Sequence, residues 1–430
     1  MSDRPTDEEL EPDIPVRSAP LQGVPPLVVT DAQVLALASR LATGSGPVAI
    51  DTERAHGYRY TGRAYLIQIA RADVGIALVD PLPISGGAFA ELQAAIADQE
   101  WIIHAAAQDL PCLVELGLVP QRLFDTELAA RLLGYPRVAL GTLTETLLGV
   151  RLLKEHSAAD WSTRPLPSDW LAYAALDVEL LGELRDLLAA ELQEQGKSDW
   201  AAEEFAHLVT QCTVPVTPRQ DPWRRTSGIH GVRSPLGLAV VRELWQERDR
   251  ICRELDKAPG RVLGDEAIVT LAAGIKRHPV TVTRNDLRAI SRFNRREARR
   301  YETSWLSAVQ RALELPRSGL PPANVPSEGP PQPRSWASRD PEAARRWDLA
   351  RGRLLALAEE KNLPIENLVG PDPLRRLLWQ PRGTDAGSVD AQLAEMGVRP
   401  WQRALVVPVL VDALAEAAAA PPPDGDPSKS

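Results

Sequence analysis

Two proline-dense stretches divide this chain into three folding units. Residues 211–230 carry Pro215, Pro218, Pro222 and Gly228, and residues 316–341 hold eight prolines in 26 positions. Proline lacks a backbone donor and fixes its own φ, so neither stretch can continue a helix interior or a central strand. Both read as linkers, the second extended and semi-rigid. The expected layout is an acidic disordered arm over 1–22, an α/β domain over 24–210, a linker over 211–230, a helical domain over 231–315, a proline-rich linker over 316–340, a second helical domain over 341–418 and a frayed tail over 419–430. Three domains are also what 430 residues suggest on size alone.

Within the first unit, strand and helix patterns alternate. LVVT leads to Asp31, read as a helix N-cap; PVAID, AYLIQIA and GIALVD read as strands, FAELQAAIA as a helix, WIIHAA as a strand, and DLPCLVELG as a helix closed by Gly117. Further helices follow in FDTELAARLLG and LGTLTETLLG. A single long helix is then expected from Ser168 as N-cap through DWLAYAALDVELLGELRDLLAAEL. The short connection around Asp73 suits an antiparallel hairpin, so the sheet is expected to be mixed. The fold class is therefore an α/β domain with a mixed sheet, followed by two small all-α domains. The helical domains share a pattern at a displacement of 105 residues, RELDKAPGRVLGDEAI beside AEEKNLPIENLVGPDPL, with Pro259 and Pro364 in corresponding places. Two copies are too few for a solenoid and read as a duplicated small module.

Composition excludes several classes. No run of eighteen residues lacks a charge, and the acidic start matches no secretory leader, so no membrane association is expected and the cytoplasm is the expected compartment. Cys112, Cys212 and Cys252 are too widely spaced for a metal clip or a disulfide framework. The net charge of −9 argues against a polyanionic partner only as an average. Residues 216–320 hold 21 basic against 12 acidic side chains, a local +9 in a remainder of −18. Inside that block Arg284, Arg288, Arg292, Arg295 and Arg299 recur at helical spacing, which would align them on one face to follow a phosphate backbone.

Chemistry concentrates in the first domain. Residues two apart on a strand share a side, so Asp51 and Glu53 can face one site at a strand end. Asp109 follows another strand, and Asp177 lies one helical turn after Tyr173. Four carboxylates in one cleft repel one another and are driven towards protonation unless cations bind. Hard divalent ions choose oxygen ligands, and two of them about 4 Å apart can clamp the attacking and leaving oxygens of an in-line phosphoryl displacement. Tyr173 could orient the attacking water. Thr52, Gln68 and His104 either touch a terminal nucleotide or pack the strand ends, and Asp125 reads as a helix N-cap ahead of a fifth ligand.

Taken in order, DTE at 51–53, HAAAQDL at 104–110 and YAALD at 173–177 resemble the DEDD superfamily of 3′–5′ exonucleases. With KEHSAADWSTRPL at 154–166, the domain resembles ribonuclease D over about residues 24–210. The resemblance implies removal of nucleotides one at a time from RNA 3′ ends, with two divalent cations, Mg²⁺ or Mn²⁺, held by Asp51, Glu53, Asp109 and Asp177, and Tyr173 positioning water. A sister branch places His five residues before the last Asp, where this chain has Ala172, so the resemblance is to the Tyr-bearing branch. Structured RNA with a free 3′ end, tRNA precursors among it, is the implied partner, and a monomer is expected. LWQERDRICRELDKAPGRVL at 244–263 resembles the HRDC domain, and the second helical unit resembles the same fold more weakly. DNA exonuclease action and an inactive RNA-binding scaffold are the alternatives. The roles of Asp160, Trp161 and Arg164 are left open.

Overall fold

The computed structural model describes residues 14–153, 156–215, 217–276, 280–324 and 329–419. Most of the acidic arm and the tail after Ala419 lie outside the described residues. The arm's described end is ordered rather than loose: β1 (Val16–Arg17) pairs in parallel with Arg151 and Leu152, and Arg17 Nη1 donates to Glu179 Oε2 at 3.0 Å.

After β2 (Leu27–Val28) comes α1 (Asp31–Thr43). Its N-cap is Thr30, in a capping box with Gln33, and Asp31 is the first helical residue, its carboxylate accepting from the Ser85 amide at 2.9 Å. The sheet continues through β3 (Val48–Arg54), β4 (Ala64–Arg71) and β5 (Gly75–Val79), then α2 (Gly86–Ile96), β6 (Glu100–Ile103), α3 (Leu110–Glu115) and β7 (Arg122–Asp125). The strand order is β2-β5-β4-β3-β6-β7, with β3–β4 and β4–β5 antiparallel and the other pairs parallel. The sheet is mixed, with its antiparallel hairpin at the turn holding Asp73. The consecutive buried residues 48–50 of β3 and 64–69 of β4 reflect central strands covered on both faces.

Next come α4 (Thr126–Leu132), α5 (Leu140–Leu148) and the two-residue strand β8 (Arg151–Leu152) that pairs with β1. The long helix is instead two: α6 (Ser168–Glu179), entered from Pro167 rather than capped by Ser168, and α7 (Leu181–Glu194). At the corner Leu180 is buried against Leu152 and Leu176. Leg α6 crosses β3, β4 and β5, while α7 turns away onto α4, α5 and β6. The corner lets each leg bury its own apolar stripe.

Helix α8 (Ser198–Cys212) ends the α/β domain, and two helical modules follow. The first is built from α9 (Pro235–Leu255), α10 (Pro259–Val262), α11 (Asp265–Gly274), α12 (Arg284–Arg288), α13 (Arg296–Arg300) and α14 (Glu302–Leu313), around its own core of Leu244, Ile268 and Trp305. The second comprises α15 (Trp336–Arg339), α16 (Pro341–Glu360), α17 (Ile365–Leu368), α18 (Pro371–Trp379), α19 (Ala386–Glu395) and α20 (Pro400–Ala419). The proline-rich stretch before it is not extended throughout, because Trp336 is fully buried against Trp347 and Trp379.

The modules superpose in pattern at 106 residues rather than 105. Asp256 and Asn362 are left-handed at φ 47° and 48°, the four-residue helices α10 and α17 follow, and extended Leu263 and Val369 lead to Gly264 and Gly370 before the next helix. Pro259 is the first residue of its helix and Pro364 the cap before its helix, so matching the prolines misaligns the copies by one.

Candidate active site

Three elements bring the acids together. Strand β3 carries Asp51 and Glu53, and α6 carries Tyr173 and Asp177 across the same sheet. Ligand oxygens of Asp51, Glu53 and Asp177 lie within 4.8 Å of one another, close enough to share one ion. Asp109 stands outside that trio, at the turn between β6 and α3. Its Oδ1 accepts from Thr52 Oγ1 at 2.6 Å and lies 3.4 Å from Arg54 Nη2. Thr52 and Arg54 thus meet Asp109, while Asp51 and Glu53 turn to Asp177. A register shift in the β3–β4 ladder falls between Glu53 and Arg54.

The electrostatics follow from this crowding. Asp51 is raised well above the usual carboxylate range, first by burial and then by Asp109 and Asp177. Glu53 is raised in the same way, by burial and then by Asp51, Asp177 and Asp109. Burial pushes Asp109 up to about 6 against the lowering effect of Thr52 and Arg54. Tyr173 is raised by burial and by the charges of Asp177, Glu53 and Asp51, and it hydrogen-bonds Asp177. A phenol held neutral beside carboxylates is a donor, suited to orienting a water. Three mutually repelling carboxylates within one ion's reach are a hard-oxygen donor set that fits Mg²⁺ or Mn²⁺.

The surrounding residues separate into supports and neighbours. Gln68, fully buried opposite Asp51 in the ladder, directs Nε2 at Asp51 Oδ2 at 3.5 Å. The Nδ1 of His104 lies 2.9 Å from Thr126 Oγ1. Asp125 caps α4 by accepting from Glu127 and Leu128, and its carboxylate also takes the Ala105 and Ala106 amides at 3.0 and 2.8 Å. It therefore fixes the left-handed turn at Ala105 that leads to Asp109.

Arg164 grips Asp80 at 2.6 and 2.8 Å and donates to the Tyr65 carbonyl at 2.8 Å. Trp161 is fully buried beside Trp170 and Tyr173. These two residues fasten the 156–166 loop behind the tyrosine, and Asp160 accepts from the Ser162 amide within that loop. His156 sets its ring edge-on to Tyr173 at 5.9 Å. Lys154 and Glu155 lie outside the described residues.

The arginine stripe does not form as one helix face. Arg284 and Arg288 lie in α12, the chain breaks at Ala289 and Ile290, a 3₁₀ turn holds Arg292, and α13 carries Arg299. Arg295 caps α13. Arg288 pairs with Glu302 at 2.7 Å, Arg284 approaches Glu302 at 3.8 Å, and Arg292 pairs with Glu266 at 2.8 Å. Buried Leu287 and Phe293 occupy positions between the arginines and turn the segment around the module's core. Arg54 was absent from the sequence-derived site, although its place directly after the DTE run was the available signal.

The first helical module grips the loop that leaves β3. Asp256 accepts from the Thr61 amide and hydroxyl at 3.0 and 2.9 Å and from Tyr65 Oη at 3.3 Å, and Tyr60 Oη donates to Asp249 at 2.8 Å. Arg261 donates to the Gly57 carbonyl at 2.7 Å and lies over the Tyr58 ring.

Residues 26–193 match a family model described as 3′–5′ exonuclease, residues 237–309 match HRDC domain, and residues 329–414 match 3′ to 5′ exonuclease C-terminal domain rather than a second HRDC copy. Ribonuclease D of Acidiphilium cryptum is 35% identical over 253 residues, 58% of this chain and 63% of that protein. Ribonuclease D of Gluconacetobacter diazotrophicus is 32% identical over 343 residues, 78% of this chain and 81% of that protein. Among solved structures, a Bifidobacterium adolescentis protein is 38% identical with a TM-score of 0.84, over 94% of this chain and all of that one. Escherichia coli RNase D shares the fold at 24% identity and a TM-score of 0.64, over 91% and 98%. The acid trio, the tyrosine and these likenesses agree, and the chain belongs to the ribonuclease D family of 3′–5′ exoribonucleases.

Proposed function

We propose that this exoribonuclease removes nucleoside 5′-monophosphates one at a time from the 3′ end of structured RNA, tRNA precursors among its substrates, as a monomer in the cytoplasm. The observation that carries the mechanistic reading is the gathering of Asp51, Glu53 and Asp177 oxygens within 4.8 Å beside a neutral Tyr173. Asp51, Glu53 and Asp177 would hold one divalent ion, with Asp109 completing a second site beside Asp51. Such ions would stabilise the negative charge that builds on the attacking, leaving and phosphoryl oxygens in an in-line displacement and would lower the pKa of bound water.

The protein's own groups do the rest. Tyr173 donates or accepts at the attacking water and, held by Asp177 and by contacts with the rings of Trp161 and His156, keeps one orientation. Gln68 steadies Asp51 from the neighbouring strand. Thr52 and His104 line the approach of the terminal nucleotide. Arg284, Arg288, Arg292, Arg295 and Arg299 of the HRDC module add salt-sensitive phosphate affinity, now from a curved basic surface rather than a straight stripe.

The test compares 3′-tailed RNA with matched single-stranded DNA, in Mg²⁺ or Mn²⁺ and in EDTA, using the full chain and Asp51→Ala. Stepwise RNA shortening that needs the ion and is lost in the variant supports the reading. Preferential DNA shortening moves the substrate to DNA, and binding without degradation makes the chain a scaffold.

A further inference from the structure

The fourth acid is held differently from the other three, and the holder is a cation. Asp109 Oδ1 already accepts from Thr52 and faces the Arg54 guanidinium at 3.4 Å, while another Arg54 nitrogen donates to the carbonyl of Gln108, the residue just before. Arg54 therefore ties down the turn that carries Asp109 from two sides. Its side chain is 18% exposed, so its charge is screened only in part and the group is not sealed from solvent. Asp51, Glu53 and Asp177 bring three carboxylate oxygens within reach of one ion without Asp109.

We propose that Arg54 is a positioning residue that occupies Asp109 in the free enzyme, so that the second cation site closes only when a substrate phosphate draws the guanidinium away. A fixed positive charge and a divalent ion compete for the same carboxylate, and like charges a few ångströms apart repel strongly at a partly buried site. Guanidinium is a bidentate phosphate ligand, so the incoming backbone offers Arg54 a better partner than a single carboxylate oxygen. Removing that partner frees Asp109 for the second ion. Ion loading thereby becomes ordered, first ion before nucleic acid and second ion with it. This inference rests on the metal-dependent reading given above.

The test is calorimetric titration of the full chain with Mn²⁺, without nucleic acid, for the wild type, Arg54→Gln and Arg54→Lys, with circular dichroism confirming that each is folded. The wild type should show one strong site and one weak site. Arg54→Gln should strengthen the weak site by about tenfold, the order expected for removing one nearby charge, while Arg54→Lys, which keeps the charge, should stay close to the wild type. Adding a nucleoside 5′-monophosphate should strengthen the weak site of the wild type and erase most of the difference between it and Arg54→Gln. A second site in Arg54→Gln that is unchanged or weaker, or a wild-type second site indifferent to the nucleotide, overturns the proposal. If no Mn²⁺ binds in a way that Asp51→Asn abolishes, it is the metal-centre reading that fails.

Discussion

The two helical modules share a corner and use it differently. In each, a left-handed residue stands at or just past the C-cap of a long helix, Asp256 as the cap itself and Asn362 one residue after Lys361, and that residue touches the nuclease domain. In the HRDC module the contact is an ionised side chain on an open loop, made with Thr61, Tyr65 and Arg63, and the module keeps a separate hydrophobic core. In the C-terminal module the Asn362 side-chain Nδ2 donates to the Leu133 carbonyl at 2.9 Å, and the Asn362 backbone carbonyl accepts from buried Lys197 at 3.1 Å. A Cβ on Gly134, at φ +84°, would lie 2.5 Å from Asn362 Oδ1, so only glycine allows this approach. Around this corner the two domains share one core, with Trp200 stacked on Trp401 at 4.9 Å and Glu204 taken by Arg399 and by the Trp401 indole. The same local fold thus serves once as a weld and once as a clasp, according to how much apolar surface surrounds the corner.

The weld should fail as a whole. Trp401→Ala removes a ring that is 5% exposed in a shared core and should cost about 3–5 kcal/mol. Denaturant unfolding should then show the nuclease domain and the C-terminal module losing stability together. If the module melts alone while the nuclease transition stays put, the single-core description is wrong. Glu204→Gln should cost about 3 kcal/mol, because it leaves the Arg399 guanidinium without its counter-charge in a site where Glu204 is 7% exposed. Restoration of stability by a second substitution, Arg399→Met, would show that the loss comes from the orphaned charge.

The nuclease domain carries a strain of its own. Because Asp51, Glu53 and Asp109 are raised when folded, burial being the first cause for each, the folded chain holds protons that the unfolded chain releases. That contribution is complete below the ordinary carboxylate pKa and is lost as pH rises, for Asp109 through about 6. In EDTA the nuclease transition should therefore lose about 1–2 kcal/mol between pH 5 and pH 7. Mg²⁺ should restore it at pH 7, and Asp109→Asn should reduce the slope by the share that Asp109 contributes, leaving that of Asp51 and Glu53. Equal slopes with and without the ion would show that the acids are not strained.

The sheet order's ingredients were legible because they rest on local periodicity, whereas the candidate acids and the tyrosine were read from the order of three motifs, at 51–53, 104–110 and 173–177, and from the resemblance those motifs carry. The corner at Leu180 was not legible, since apolar residues continue through it and only packing against β3–β5 on one leg and α4, α5 and β6 on the other decides where the helix divides. The arginine stripe misled for the reverse reason: its spacing is helical, but Leu287 and Phe293 must face the module's core and pull the segment into two short helices. Asp109's separation from the acid trio, and the Arg54 contact that accompanies it, depend on a turn fixed by Asp125 some 20 residues away in sequence. No spacing rule reaches that far.

The clasp should open under small perturbations that leave the weld intact. Asp256→Ala removes acceptors for Thr61, Tyr65 and Arg63 in a group that is 26% exposed, and should cost about 1 kcal/mol of docking without moving the main unfolding transition. Small-angle scattering should register a larger radius of gyration, and trypsin should cut the Arg219–Arg225 linker sooner. Acid should do the same to the wild type. Burial opposes ionisation of Asp256, but the hydrogen bonds from Thr61 and the charge of Arg63 prevail and hold it below the usual range. A lowered carboxyl contributes stability above the unfolded pKa and loses it as pH falls through the folded one, so docking should persist at neutral pH and weaken only below about pH 4. The sign is opposite to that of the active-site acids. Scattering that expands on acidification in the wild type but not in Asp256→Asn, whose neutral amide no longer titrates, would place the clasp at this carboxylate; expansion in both would assign it elsewhere.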